Sequence, residues 1–480
     1  MALIQDRGML GGCNSSEIKV GLGGYLHAEP YPNIGNVVEQ ISPVFNSPGA
    51  YPDEYYEDAR KLKAFETVPA PYKGNYKLAL NQRMIQAESR NGMITAVIAK
   101  DMRDGSLYRY KGALFADCTG DAVLARKMGA SVMYGREASD QFGESLAPEK
   151  ADRMVMGMTT PWFTTDEAEE VTFPDIDWGI EINEKNGYLV SDGDWEWEFG
   201  QFRDMADETE KIRDYGLMTV FANWSYVKNH SVKAESWKNK KLAWASPFGG
   251  KRESYRVCGE YILTQRDIEE KIPHPDGTAS MTWDIDLHYP ELENMRRFEE
   301  PFRSCAIHRG IERHYPVPYR CLYAKDVPNL FLGGRCISTT HVAFSCVRVM
   351  RTLGALGEVV GMAAAVCRSK NILPGDVVCE WNFAELRKKM ERGVQIQEMH
   401  AYPAGKYEKF AFREIWELFT DPEITLPLER ADIMEKINSL GIPYRGYERF
   451  QGIENRTLTA EEKEIVKNRN DSIIKIKEWN

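Results

Sequence analysis

Asn329-Leu-Phe-Leu-Gly-Gly-Arg-Cys-Ile-Ser338 joins a short apolar run to a Gly-Gly-Arg turn, and an apolar, helical stretch follows from about Arg348 to Lys370. The run reads as a strand buried in a sheet, because it lacks the alternation of a half-exposed one. Buried strand, glycine turn and helix are the units from which α/β folds build phosphate sites. Gly354, Gly357 and Gly361 fall three and four apart and share one helix face. Each costs ~1 kcal/mol relative to alanine, so the face is expected to approach something closely, either a sheet or a flat ligand. The helix start near Val347 and Arg348 offers unpaired N–H groups and partial positive charge to an anionic edge.

Further towards the N-terminus, the runs Leu78 to Arg90, Met93 to Arg103 and Leu107 to Asp117 are separated by Asn91-Gly92 and Asp104-Gly105. Both dipeptides favour two-residue hairpin turns, so residues 76–121 read as a three-stranded meander. Its last strand, Ala113-Leu-Phe-Ala-Asp117-Cys118, is apolar enough to re-enter a buried sheet before Thr119-Gly120-Asp121 opens a helix running to Met128, with Asp121 as its cap. Met1 to Gln5 is a strand feeding a turn that contains Gly8, Gly11 and Gly12. Residues 150 to 310 differ: Trp162, Trp178, Trp195, Trp197, Trp224, Trp237, Trp244 and Trp283 lie among many charges, which suggests a second domain or cap. Beyond Pro374 the pattern is helical and rich in Glu and Lys.

The chain has 480 residues, 43% hydrophobic and 28% charged, a globular balance with room for two or three domains. Its 61 basic against 72 acidic residues give a net charge of −11, poor for gripping nucleic acid. Its 9 cysteines include no C-x-x-C pair, which suits reduced thiols in the cytoplasm. The most apolar stretch, Val359 to Cys367, is shorter than the ~20 residues that span a bilayer. No membrane partner is expected, and the N-terminus does not read as a secretory signal. His308 and His314 are six apart, which suits no helical metal pair, and no metal is expected.

Leu10-Gly-Gly-Cys-Asn-Ser-Ser-Glu17, Phe115-Ala-Asp-Cys-Thr-Gly-Asp121, Gly250-Lys-Arg-Glu-Ser-Tyr-Arg256 and the Asn329 to Ser338 run, continued by His341 and Arg348-Val-Met350, resemble the FAD-dependent oxidoreductase family, distantly related to the flavoprotein subunit of heterodisulfide reductase. The blocks cover about residues 1–27, 75–145, 250–265 and 315–370 in family order. The resemblance implies an α/β, FAD/NAD(P)-binding Rossmann-like domain in two parts, 1–149 and 315–372. A mixed α+β cap (150–314) and a C-terminal helical segment (373–480) complete it. Such proteins open with a strand and a G-x-G-x-x-G loop, whereas this chain matches from their second strand onward, so an N-terminal truncation of about thirty residues is expected.

The resemblance also implies a cofactor set. Gln5 stands where the ribose-binding acid is usual, with Asp6 and Arg7 beside it. Gly11, Gly12 and Ser15 would lie along the ribityl and pyrophosphate, and Thr119 and Gly120 beside the adenosine half. Gly334 and Arg335 would contact phosphate or ribityl oxygens, and Arg348 would face the flavin C2=O. For each glycine a plain turn requirement is the competing explanation.

Three catalytic candidates complete the set. His341 falls between the buried strand and the helix, and an imidazole ordinarily titrates near neutral pH, so it is expected to take the substrate proton; a structural role is the alternative. Arg252 precedes a strand expected over Val257 to Leu263 and could bind a carboxylate or a sugar hydroxyl, unless Arg252, Glu253 and Arg256 form a solvated ion-pair network. Arg348 is the third. The expected function is hydride transfer between a small polar substrate, a sugar or a carboxylate, and FAD, with the electron acceptor open. The alternative is a catalytically silent homologue acting as a binding protein or subunit. A glycoside hydrolase using Glu196 and Glu198 ranks last, because nothing raises the pKa of either.

Overall fold

A computed structural model describes residues 1–41, 58–66, 76–311 and 314–395. Strand β1 (Ala2–Ile4) runs parallel to β2 (Lys77–Ala79), with Leu3 opposite Leu78. Strands β3 (Gln82–Arg90), β4 (Met93–Asp101) and β5 (Leu107–Lys111) form the antiparallel meander. Asn91 and Gly92 turn the first hairpin with φ of 52° and 76°, the left-handed geometry that this dipeptide favours.

The third run of the meander ends earlier than its sequence suggests. Leu107 to Lys111 alternates between exposed and half-buried residues, and then β6 (Phe115–Asp117) leaves the meander to pair in parallel with Leu330–Leu332. Phe115 lies opposite Leu330, and Asp117 opposite Leu332. Leu330, Phe331 and Leu332 are buried, whereas Ala116 on the partner strand is exposed. The two sequence-distant blocks therefore share one sheet. Asn329 fastens the meander to it: its amide nitrogen donates to the Ile94 and Ala113 carbonyls at 2.8 and 2.9 Å, and its amide oxygen accepts from the Ile94 N–H at 3.0 Å.

The long helix expected from about Arg348 to Lys370 is Met350–Lys370, and a separate short helix, His341–Val347, precedes it across a break at Val349, which is extended. Thr340 caps the first, its hydroxyl accepting from the Ala343 N–H at 3.2 Å. At the break, the Arg348 guanidinium donates to Asp286 at 2.8 Å, anchoring the chain to the strand Ile285–Pro290. His341 is thus the first residue of a helix, not part of a loop. The glycine face is also less demanding than its spacing implies. A Cβ at Gly354 would strike Val38 of the helix Asn36–Ile41, but at Gly357 and Gly361 no described atom lies within 4 Å. At Gly354 the close approach is to a helix.

Met350–Lys370 is long and apolar enough to cross a membrane by length and composition. Its Leu353, Leu356, Val359, Ala363 and Val366 are nevertheless buried in the main core. The helix at Glu380–Arg392 packs against it, Lys370 Nζ donating to Asn382 at 3.0 Å. The expected C-terminal segment beyond residue 395 lies outside the described residues.

Within the expected cap, Trp162, Trp197 and Trp224 are core, Trp162 meeting Trp197 edge-to-face at 5.2 Å, whereas Trp178 is exposed. Backbone pairing crosses the expected boundary at 314, because Gly277–Met281 pairs with Tyr315–Pro318. The strand foreseen over Val257 to Leu263 reduces to Arg256–Val257, paired with Val132–Met133.

Replacing Asn329 with Ala removes its buried bonds to the Ile94 N–H and carbonyl and the part-buried one to the Ala113 carbonyl, a loss of about 1–3 kcal/mol. N329A should therefore unfold at a clearly lower urea midpoint than the wild type; an unchanged midpoint would show that the sheet does not depend on this amide.

Candidate functional site

A cleft of about 1280 Å³ opens between the N-terminal glycine turn, the Cys118–Asp121 turn, the Gly249–Arg252 segment and the break at Arg348–Val349. Gln5, Arg7, Gly11, Gly12, Thr119, Gly120, Gly334, Arg335, Arg348 and Arg252 all line it, so ten of the foreseen residues converge from four separate stretches. Ser15 and His341 do not. Ser15 is buried and its hydroxyl donates to the Gly12 carbonyl at 2.7 Å, holding the turn that carries Gly11 and Gly12.

One end of the cleft is built around Asp117, which is fully buried at the end of β6. One carboxylate oxygen accepts from the Thr119 N–H and hydroxyl at 3.0 and 2.7 Å, and the other from the Ala125 N–H at 2.9 Å. The helix at Val123–Lys127 is capped by Thr119, whose hydroxyl accepts from the Val123 N–H at 2.9 Å; Asp121 is not the cap. Gly120 has φ of 76°, and a Cβ there would collide with the Arg335 guanidinium, so only glycine lets Arg335 lie across the turn. Asp121 is instead paired with Lys251 at 2.7 Å, and Lys251 also donates to the Thr209 hydroxyl at 2.8 Å. Burial lowers the Lys251 ammonium, with Asp121 opposing. Arg335 Nη1 is buried without a hydrogen-bond partner.

The other end has a floor of alternating charge. Arg252 lies 3.2 Å from Glu198, and Glu198 meets His288 Nδ1 at 2.7 Å and accepts from Ser304 at 2.8 Å. His288 Nε2 and His308 Nε2 lie 3.3 and 3.4 Å from the same Asp286 oxygen, and the other oxygen accepts from Arg348 and from the Trp283 indole. Burial would raise the Glu198 carboxyl, but Arg252, His288 and Ser304 outweigh it and hold it at about 2. Burial likewise opposes ionisation of Asp286, and His288, Arg348 and His308 push it well below the usual carboxylate range. An ionised Glu198 cannot serve as a glycosidase acid at neutral pH.

His341 belongs to a different, interior network. Its Nδ1 faces both Glu253 oxygens at 2.8 and 3.1 Å, and its N–H donates to Glu137 at 2.8 Å. Arg256, fully buried, lies 3.4 Å from Glu253 and 3.0 Å from Glu137. The Glu253–Arg256 network is therefore buried, not solvated, and His341, 1% exposed, does not reach the cleft. Its helix position turns Nδ1 inward to Glu253, and its Nε2 is buried without a hydrogen-bond partner. His308 and His288 line the cleft in its place.

Asp286, His288 and His308 were not singled out as site residues by their sequence. The signal was available: Asp286 and His288 are two apart on the strand Ile285–Pro290, hence on one face, and Asp286 pairs in register with His308. Nothing in the sequence, however, tells that this face looks into the cleft. Tyr319 and Arg320 form a short turn, with Arg320 paired to Asp276 at 2.9 Å outside the cleft. Among the described residues no group of acidic, His and Cys side chains could hold a metal ion.

The family profile described as FAD dependent oxidoreductase matches residues 1–390. The chain belongs to the FAD-dependent oxidoreductase family. FAD is the cofactor of that family. No curated protein matches the chain. Among solved structures, "Quinol-Fumarate Reductase with Menaquinol Molecules" is similar at 8% identity and a TM-score of 0.25, over 74% of this chain and 65% of that one. In this FAD-dependent oxidoreductase family member, the residues matched by the profile include every side chain of the cleft described above.

The depressed Glu198 carboxyl makes stability depend on acid. A carboxylate whose folded value lies below its ordinary 4.5 stabilises the fold above that pH and loses the contribution as pH falls towards about 2. Wild-type protein should lose stability in chemical unfolding between about pH 5 and about pH 3, and E198Q, which cannot titrate there, should lose less over the same interval. Equal losses would place the acid sensitivity elsewhere.

Proposed function

We propose that the protein is an FAD-dependent oxidoreductase that moves a hydride between a small polar organic molecule and flavin, with the cofactor in the large cleft and the substrate over its charged floor. Its volume exceeds the ~300–1,000 Å³ of most small-molecule clefts, which suits an elongated dinucleotide with a substrate beside it. The observation that carries the proposal is the convergence of Gly120, Gly334 and Arg335 at one end of the cleft and Arg348 at the other.

The donor set fits the cofactor. Arg335 Nη1, buried and without a partner, together with Lys251, would neutralise phosphate, and Gly120 and Gly334 would let the backbone pass close to it. Gln5 and Arg7 would hold the ribose end, with Gly11, Gly12 and Thr119 along the chain between. The parallel pairs β1–β2 and β6 with Leu330–Leu332 support a Rossmann-like arrangement around it. Arg348 and the first N–H groups of Met350–Lys370 would face the flavin edge where negative charge gathers. When bound, FAD supplies the two-electron acceptor.

The chain's own residues do the rest. Arg252 and Arg348 orient the substrate, each itself held by a carboxylate. His308, the more open of the two cleft imidazoles with a side chain 28% exposed, accepts the proton that the substrate gives up, and Asp286 holds its ring. Trp195 and Trp283 shield the floor from water.

Purified protein should carry, or take up on addition, the yellow absorbance of bound FAD, and R335A should weaken FAD binding roughly tenfold or more, since a charge-assisted hydrogen bond to phosphate is lost. A colourless protein that takes up no FAD would instead support the silent binding protein. In the loaded enzyme, H308N should lower kcat by about a hundredfold or more with little change in KM, as expected when a general base is removed; an equal rate would exclude His308 from proton transfer.

A further inference from the structure

The cleft floor runs as an unbroken series, Arg252, Glu198, His288, Asp286 and Arg348, in which each guanidinium already faces a carboxylate. Arg252 is matched by Glu198 at 3.2 Å, and Arg348 by Asp286 at 2.8 Å. Asp194 also lines the cleft, and His308 stands beside Asp286. An incoming carboxylate would therefore meet guanidiniums that each already face a carboxylate, and would come to rest beside Asp194 and Asp286 with Glu198 buried beneath them. A hydroxyl group, which both donates and accepts, can use such a floor without adding charge.

The two ends of the series each carry a half-buried indole that lines the cleft. Trp195 stands at one end: its carbonyl accepts from Arg252 at 2.9 Å, and its ring meets the His288 ring edge-on at 5.3 Å. Trp283 stands at the other, its indole N–H donating to Asp286 at 3.1 Å. The buried Trp162, Trp197 and Trp224 account for the cap core, whereas these two present surface to the cavity. An apolar aromatic surface beside paired donors and acceptors suits a ring with C–H bonds on its faces and hydroxyls on its edge.

We infer that the substrate held over this floor is a neutral polyhydroxylated ring, of the sugar or cyclitol class, not a carboxylate. The inference rests on the oxidoreductase assignment above and adds the chemical class of its substrate.

The test uses the full chain loaded with FAD, with D-glucose, myo-inositol and D-glucuronate as probes, read by tryptophan fluorescence and calorimetry. At least one neutral ring should bind at least tenfold more tightly than glucuronate, which keeps the ring hydroxyls of glucose and carries a carboxylate in place of its CH2OH. W195A and W283A should each weaken that ring by about tenfold, the size of one lost ring contact, with W195F retaining most of the affinity. D286N, which leaves Arg348 without its carboxylate, should shift the preference towards glucuronate. Tighter binding of glucuronate by the wild type, or no binding of either neutral ring, would overturn the inference. Failure to take up FAD would sink the oxidoreductase assignment instead, while ring binding would remain measurable by fluorescence on the same protein.

Discussion

Arg256 has no exposed surface, and its guanidinium would be costly to bury alone, by several kcal/mol. Glu137 and Glu253 flank it, and it also donates to the carbonyls of Gly135 and Thr339. Those partners come from three stretches of chain: the turn after Val132–Met133, the segment that carries Arg252, and the start of the helix His341–Val347. Removing either carboxylate would leave part of a buried charge unmatched, so the three stretches are held in one arrangement. His341 joins the network through its ring to Glu253 and its backbone N–H to Glu137.

The shape of the cleft follows from that constraint. With Glu253 and Arg256 fixed inward, Arg252 is turned out towards Glu198 and the cavity. With the helix start fixed by Glu137, the break at Val349 falls where Arg348 can reach Asp286. The interior network and the cleft floor are thus adjacent charge systems, one sealed and one open. Burial works against ionisation in both, and Glu198, Asp286 and Glu253 stay ionised because opposite charges outweigh it.

The turns that line one end of the cleft were legible from local chemistry. Glycine turns, an Asn-Gly hairpin and a short apolar strand before a helix depend on neighbours a few residues away, so the turns at Gly120 and Gly334 could be placed in advance, while Arg335 was named through the family resemblance. The meander's early end was not legible, because Phe115 to Asp117 could satisfy its backbone beside β4 or beside Leu330–Leu332, and only Asn329 and the packing behind it favour the second. The same holds for the glycine helix, whose spacing does not reveal that Gly354 meets the Val38 helix.

Sequence alone determined the family and its FAD, through four motif blocks in family order, and the glycine turns between them, since turn preferences are encoded locally. Tertiary structure decided which ionisable groups face the cavity. A histidine's chemistry is the same at 288, 308 and 341; what differs is the company of charges and the side of the sheet or helix on which it falls. That depends on long-range pairing, such as Asp286 opposite His308, which no local pattern specifies.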